Sequence, residues 1–575
     1  MGNPNAANIF KRLSNLLKLD KREIGQIYTF AILIGLVNLS IPLGFQTIIT
    51  LIQSGKVSSS WVILVSMVIL GSLIAGIMQV FQLRITENIQ QKIFSRSAFD
   101  FAYRIPKFKM ISIRKKYAPE LVNRFFDTLT IQKGISKLLI DISTSTLQII
   151  FALILLSLYH PIFILFSFFL ILILYFIFRV SGKKGVEASL IESKYKYKTV
   201  EWLEEIARAR FSFKLAGNSK LHLEKTDKIT SEYIKARENH FKVLIFQYLN
   251  LVSFKVLIIA GLLIIGGFLV INNEIDLGQF VASEIIILLI MSNVEKLISG
   301  LEIIYDVITS IEKIGQVTDI ELDFKDGVGK DELDIYKGAK IEFKNVFFKF
   351  KNDGYNHLNN ITLNIQSQQS VCLSGFNHSG KSLILELMAG IYKPDSGTIT
   401  INDYNIENIA HNEFRAIVGN NFKNETIFNG TFIDNITLGR KDISDEDINW
   451  AIDNMDLRKI VDELPDGWNT EISPDGVGFS KNTMQKILLC RSIVHKPKLV
   501  LLEYSFELFS NDIKLKLLNF LTRKDNPWTV VFVSNDVHVA TICDNVFLLE
   551  NAEIKAEGKF VELMKDNELK KLFYA

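Results

Sequence analysis

Six long apolar runs in the first half of the chain restrict its fold more than any other feature. They lie at 27–52, 61–83, 138–159, 161–179, 250–272 and 278–297, and each is about 19 to 26 residues long. A helix of that length crosses a hydrocarbon core of about 30 Å and pairs its backbone groups internally. A large soluble core rarely buries six such helices in succession. The 575-residue chain has a mean hydropathy of +0.22. A membrane-embedded half is therefore predicted, followed by a second, more polar half.

The loops between the runs orient the chain. Residues 84–137 carry twelve Lys and Arg, and residues 179–242 are similarly basic. The other loops are short: 53–60 has one Lys, 159–161 has none, and 272–277 carries Glu274 and Asp276. Basic loops stay inside, which predicts a cytoplasmic N-terminus, cytoplasmic long loops and a cytoplasmic C-terminal half, in a multi-pass protein of the cytoplasmic (inner) membrane. The long loops have no Pro/Gly clusters and read as helical extensions below the membrane. The stretch 9–24 (IFKRLSNLLKLDKREI) alternates basic and apolar residues at helical spacing. It predicts an amphipathic helix over 1–24, on the inner membrane surface or in solvent. No secretory signal is expected there, because no apolar h-region follows the basic residues. No peptidase segment precedes the first run, so cleavage of a leader peptide is not expected.

A net charge of +3 gives no argument for nucleic acid. The three cysteines, Cys372, Cys490 and Cys543, lack metal-ligand spacing and read as small buried hydrophobes. Charges within or near the apolar runs are costly there. Asp141 and Lys255 stand near the cytoplasmic boundary, where snorkelling accounts for them. Glu284 lies about two turns into the sixth run and is a candidate for a substrate path.

The transmembrane part thus spans 25–310. A polar linker is expected over 311–339, and an α/β domain over 340–575, where β-type runs alternate with helical ones. The strongest motif is Gly375, Phe376, Asn377, His378, Ser379, Gly380, Lys381 and Ser382, which fits G-x-x-x-x-G-K-[ST]. An apolar strand precedes it, and a helix opens at Leu383. In that setting backbone N–H groups wrap a phosphate, Lys381 reaches the β and γ phosphates of ATP, and the Ser382 hydroxyl takes Mg2+.

With these residues in place, the chain resembles the ABC exporter family over nearly its whole length. Segment 341–350 (IEFKNVFFKF) looks like the family's opening strand, with Phe350 where an aromatic stacks on adenine. KPDSGTI at 393–399 and NGTFIDNI at 429–436 resemble further landmarks, as do LPDG at 464–467 and the pair Cys543 and Asp544. IPLGFQ at 41–46 looks like the type I secretion branch, which exports proteins and peptides. The resemblance implies an all-α six-helix transmembrane domain followed by an α/β P-loop domain, working in pairs. Each ATP would lie between one P-loop and the partner's signature.

The hydrolytic positions depart from the family. The signature reads Phe479, Ser480, Lys481, Asn482, Thr483: Ser480 remains but both glycines are gone. The Walker B strand ends in Glu503 and Tyr504 instead of Asp and Glu. Glu503 can still serve Mg2+, whereas a Tyr504 phenol is protonated at neutral pH and is a poor base. Lys423 stands for the Q-loop glutamine and Asn535 for the switch histidine. The D-loop segment 507–510 lacks its Asp.

The expectation is an exporter subunit that binds ATP, hydrolyses it poorly and moves a protein, peptide or lipid outward. Its partner would be a consensus half-transporter rather than a second copy. A periplasmic adaptor and membrane lipid are the further expected partners. The alternatives are an active homodimeric exporter and an ATP-binding regulatory or structural membrane protein.

Overall fold

The structure is a computed structural model that describes residues 6–53, 59–114, 116–323, 326–333, 335–351, 353–473, 476 and 478–574. The backbone divides into two units: residues 1–108 with 112–321, and residues 109–111 with 322–575.

The first unit is helical. Helix α1 (Ala6–Leu17) precedes the first apolar run, which is not one straight helix but two, α2 (Lys21–Asn38) and α3 (Ser40–Gln53). Pro42 explains the interruption: it has no N–H for the Asn38 carbonyl four residues back, and its ring crowds that carbonyl. The sequence reading ran through this position as a single span. Then come α4 (Ser59–Arg104), α5 (Asp127–Lys137), α6 (Ser143–Tyr159), α7 (Ile162–Arg208), α8 (Leu221–Gly261), α9 (Leu277–Ser299) and α10 (Leu301–Thr318). Six helical stretches among the described residues are long and apolar enough to cross a membrane. Helices α4, α7 and α8, at 46, 47 and 41 residues, continue well past the apolar runs, as the reading of the basic loops expects.

Leu13, Leu16 and Leu17 of α1 pack on a cluster built from Ile27, Ile89, Ile93, Ile131 and Ile311. Arg12 fixes the same helix through ion pairs with Glu312, at 2.6 Å, and Asp319. The amphipathic face of α1 is thus spent on protein in this unit; the side chains of residues 6–10 lie outside the described set. Helix α10 runs to Thr318, past residue 311 where the linker was expected, because Tyr305, Ile311 and Val317 keep a buried stripe going. Lys255 pairs with Glu295 on α9 at 2.6 Å, while Glu284 on α9 and Asp141 are exposed on this unit.

The second unit carries two main sheets. One is antiparallel, in the order β2-β1-β4-β5, from β1 (Ile341–Phe348), β2 (Leu358–Ile365), β4 (Ser396–Ile401) and β5 (Tyr404–Asn405). The other contains β3 (Ser370–Gly375), β6 (Val418–Asn421), β7 (Leu499–Glu503), β8 (Thr529–Val533), β9 (Asn545–Glu550) and β10 (Glu553–Gly558). Its order is β10-β9-β3-β8-β7-β6, parallel except for the β10 edge. Every residue of β3 and β8 is buried. Parallel strands covered on both faces need such continuous burial, and their carboxyl ends are where ligands bind in open α/β sheets. All three cysteines are buried and free, in line with the sequence reading.

Candidate functional site

The central strand β3 delivers the chain into the glycine loop, and α11 (Lys381–Met388) leaves it. Two glycines are required by backbone geometry. Gly375 has φ 140°, and a Cβ there would fall 2.0 Å from the Leu549 carbonyl oxygen; Gly380, the N-cap of α11, has φ 97°. His378 also lies in the left-handed region, at φ 64°, where a side chain is less favoured than glycine.

A cavity of about 490 Å³ opens beside this loop. His378, Ser379, Gly380, Lys381, Ser382 and Leu383 form its phosphate end. Gly375, Phe376 and Asn377 shape the turn without lining the cavity. The Lys381 ammonium is folded back onto the loop, donating to Gly375 O at 2.6 Å and Phe376 O at 2.7 Å. Burial pushes its pKa down to about 8. A charged phosphate would repay that desolvation by replacing the two carbonyl contacts with an ion pair.

The opposite end is aromatic and amide-rich. Phe350 lines the cavity but is only 8 % exposed. Phe348, His357 and Tyr392 meet its ring edge-on or face-to-edge at 4.8, 4.7 and 5.5 Å between centres. The exposed aromatic surface there belongs to Tyr355, 67 % exposed, whose ring lies 4.6 Å from that of His357 at 33°. Sequence reasoning missed Tyr355; its one signal was an aromatic residue in a Gly-Tyr-Asn loop five positions after Phe350. Asn551 and Ala552 complete this end from a turn in which both are left-handed, at φ 48° and 66°. The Asn359 N–H holds that turn by donating to Ala552 O at 2.8 Å.

Asn356 and Glu386 also line the cavity, and a further wall is Tyr504, directly after β7. It too is left-handed, at φ 48°, and its N–H donates to Val533 O at 3.0 Å. Burial first, then the nearby Glu503 and Glu507 carboxylates, raise the phenol's pKa above its ordinary value of 10.0. The neutral phenol at this wall is therefore still less able to accept a proton. The Lys423 ammonium lies 5.7 Å from the Tyr504 ring centre, and the Lys423 N–H donates to Glu503 Oε2 at 3.0 Å.

Asn535, from the loop after β8, grips the start of the glycine turn. Its Oδ1 accepts from Ser374 Oγ at 2.8 Å and from the Gly375 N–H at 3.3 Å, and its Nδ2 donates to Gly375 O at 3.1 Å. The structure thus places Asn535 on the glycine turn and Tyr504 on the cavity wall, with Lys423 and Glu503 beside Tyr504 and outside the cavity lining. Ser480 is elsewhere. It caps α12 (Lys481–Ile493), accepting from the Thr483 N–H at 3.1 Å, and does not line this cavity.

For Mg2+, the Ser382 hydroxyl is an oxygen donor on the cavity wall, the Glu386 carboxylate lines the same cavity, and the Glu503 carboxylate stands at the end of β7, outside the cavity lining. Glu503 spends one oxygen on the Lys423 amide and keeps its remaining lone pairs. Hard oxygen donors of this kind, with phosphate oxygens added, fit the ion.

Comparison with known proteins agrees with this arrangement. Residues 25–294 match the ABC transporter transmembrane region and residues 358–503 match the ABC transporter domain. The alpha-hemolysin translocation ATP-binding protein HlyB of Escherichia coli O157:H7 is 27% identical over 318 residues, covering 55% of this chain and 44% of that protein. The transport/processing ATP-binding protein ComA of Streptococcus pneumoniae is 23% identical over 456 residues, covering 77% of this chain and 62% of that protein. The chain therefore spans about half the length of the curated relatives it matches. A bacterial Atm1-family ABC exporter with ATP bound shares the fold at TM-score 0.83, with 15% identity over 96% of this chain and 98% of that one.

Proposed function

The chain belongs to the ABC transporter family, and on that premise we propose that it is the weakly hydrolytic half of an exporter. It binds ATP in the Lys381 loop, with Ser382 and Glu503 available to Mg2+, and turns it over poorly. One observation carries this reading: the phosphate loop is intact, while the residue on its catalytic wall is a half-buried, neutral Tyr504. Loss of a positioned base costs on the order of 10²–10⁴-fold in rate.

Binding without turnover assigns the energy-yielding step to a partner. We therefore read the second half-transporter as a consensus chain rather than another copy, with the two transmembrane halves sharing one path. The basic long loops support an orientation in the cytoplasmic membrane with the N-terminus and the nucleotide-binding domain on the cytoplasmic side. The relative named for alpha-hemolysin translocation supports a polypeptide cargo, and an adaptor beyond the membrane is a further partner in this reading. A lipid cargo is the second candidate.

The test is phosphate release by the purified chain, alone and after co-purification with its membrane partner. The chain alone is expected to stay at background while binding ATP. Turnover by the chain alone, abolished in Lys381→Ala, would overturn the reading.

A further inference from the structure

Among the described residues that line the nucleotide cavity, Glu386 is the one carboxylate. It sits half-buried on α11. Leu383, three residues before it, lines the same cavity, so the two share one face of that helix. Lys381 and Ser382 occupy the first turn and serve the phosphates. Five residues separate Lys381 from Glu386, which places Glu386 about 7.5 Å further along the axis. The helix thus carries its cavity face away from the glycine loop by the span that a triphosphate chain covers before it reaches its sugar. The base end is built from other elements. Tyr355 and Asn356 come from the loop after β1, and Asn551 and Ala552 from the turn between β9 and β10.

A carboxylate repels a polyphosphate, and more strongly at a half-buried wall than in bulk water. A lone acid in an anion's cavity therefore opposes binding unless it meets an uncharged part of the ligand that donates hydrogen bonds. Ribose is that part of ATP with two adjacent O–H donors. An ionised carboxylate only accepts, and its two oxygens match a vicinal diol. The amides of Asn356 and Asn551 both donate and accept, which suits the mixed edge of a purine. Dinucleotide-binding folds use an acidic side chain on a ribose hydroxyl for the same reason.

We propose that the Glu386 carboxylate accepts from the ribose hydroxyls of ATP and makes this site selective for ribonucleotides. The inference rests on the nucleotide reading given above and deepens it by assigning the sugar end of the cavity. The metal stays with the phosphates beside Ser382, one helical turn before Glu386.

The experiment is isothermal titration calorimetry of the purified full-length chain with ATP and with 2′,3′-dideoxy-ATP, in excess Mg2+, for the wild type and Glu386→Ala. Alanine keeps the helix, being its best former. The wild type is expected to bind ATP at least about tenfold tighter than the dideoxy nucleotide, the scale of one hydrogen bond to a charged group. In Glu386→Ala that ratio should fall below about threefold, whereas general damage to the site would weaken both ligands alike and leave the ratio standing. A smaller wild-type ratio overturns the proposal, as does a ratio that survives in Glu386→Ala. Repeating the ATP titrations in excess EDTA separates sugar from metal. Removal of Mg2+ should change affinity equally in both proteins, and a Glu386→Ala protein that has lost the Mg2+ effect would place the carboxylate on the ion and overturn the proposal. Absence of wild-type binding to either nucleotide sinks the nucleotide reading itself, while ATP binding without sugar preference sinks this inference alone.

Discussion

Asn535 holds Gly375 by both of its backbone groups, accepting from the N–H at 3.3 Å and donating to the carbonyl at 3.1 Å. The same amide oxygen accepts from the buried Ser374 hydroxyl at 2.8 Å. A residue that stands for a catalytic histidine thus braces the glycine turn. An asparagine can do this with one carbonyl and one amide and carries no proton to shuttle.

Asn535→Ala is therefore expected to act on stability before chemistry. It leaves the buried Ser374 hydroxyl without its acceptor, at a cost of about 1–3 kcal/mol. Chemical denaturation of the chain should show that loss, with a weaker ATP affinity, and Asn535→His should not produce turnover while Tyr504 remains.

The phenol of Tyr504 has its pKa raised by burial and by Glu503 and Glu507, so it is uncharged throughout the physiological range. Tyr504→Phe should then leave phosphate release within about twofold of wild type, far below the effect of removing a working base. A drop of tenfold or more would show that the hydroxyl takes part in the reaction.

Nucleotide affinity should weaken in alkali. Burial lowers Lys381 from its ordinary 10.5 to about 8, so the empty site loses its ammonium as pH rises through that value. Above it, ATP binding must take up a proton, and affinity should fall by up to about tenfold per pH unit. The stability effect has the opposite sign. Between about 8 and 10.5 the unfolded chain binds more protons than the folded one, so this group's contribution to stability rises with pH. Calorimetry in buffers of different ionisation enthalpy measures the proton uptake directly, and Lys381→Arg should remove it.

The base end of the cavity makes a separate expectation. Tyr355 offers an open ring face, whereas Phe350 is 8 % exposed and wedged among Phe348, His357 and Tyr392. Tyr355→Ala should weaken ATP by about 1–3 kcal/mol, the scale of one base–aromatic stack, and leave binding of inorganic tripolyphosphate unchanged. Tyr355→Phe should bind as wild type. If Phe350→Leu carries the loss instead, the purine stacks on Phe350, as the family resemblance implies.

How much of this was legible depends on the range over which each feature is encoded. The apolar runs and the strand–loop–helix setting of Lys381 are local patterns that recur in the structure, the helix opening at Lys381 rather than at Leu383 because Gly380 is its N-cap; the long loops recur as helical extensions. Pro42 was equally local, yet the first run was read as one helix, because its apolarity outweighed a single missing donor until the backbone showed the break at Leu39. The burial of Phe350 depends on Tyr392, more than forty positions away, and the grip of Asn535 on Gly375 spans 160 positions. Neither separation leaves a periodic trace along the chain.

The sequence by itself determined the two-part organisation, the phosphate-loop motif and the presence of Tyr504 after Glu503; the orientation and the weak hydrolysis are what we propose from them. These follow from length, hydropathy and residue chemistry, which need no neighbours to be stated. Only the tertiary structure decided that the Lys423 amide lies on Glu503 while its ammonium sits over the Tyr504 ring with no ion pair among the described residues, and that Tyr355 rather than Phe350 presents an open face. The physical reason is that the parallel sheet brings the ends of β3, β6, β7 and β8 together, so chemistry written far apart in the chain meets at one edge. Tyr504 was visible as a letter. The charge of Lys423 beside it emerged only once the backbone had closed around Glu503.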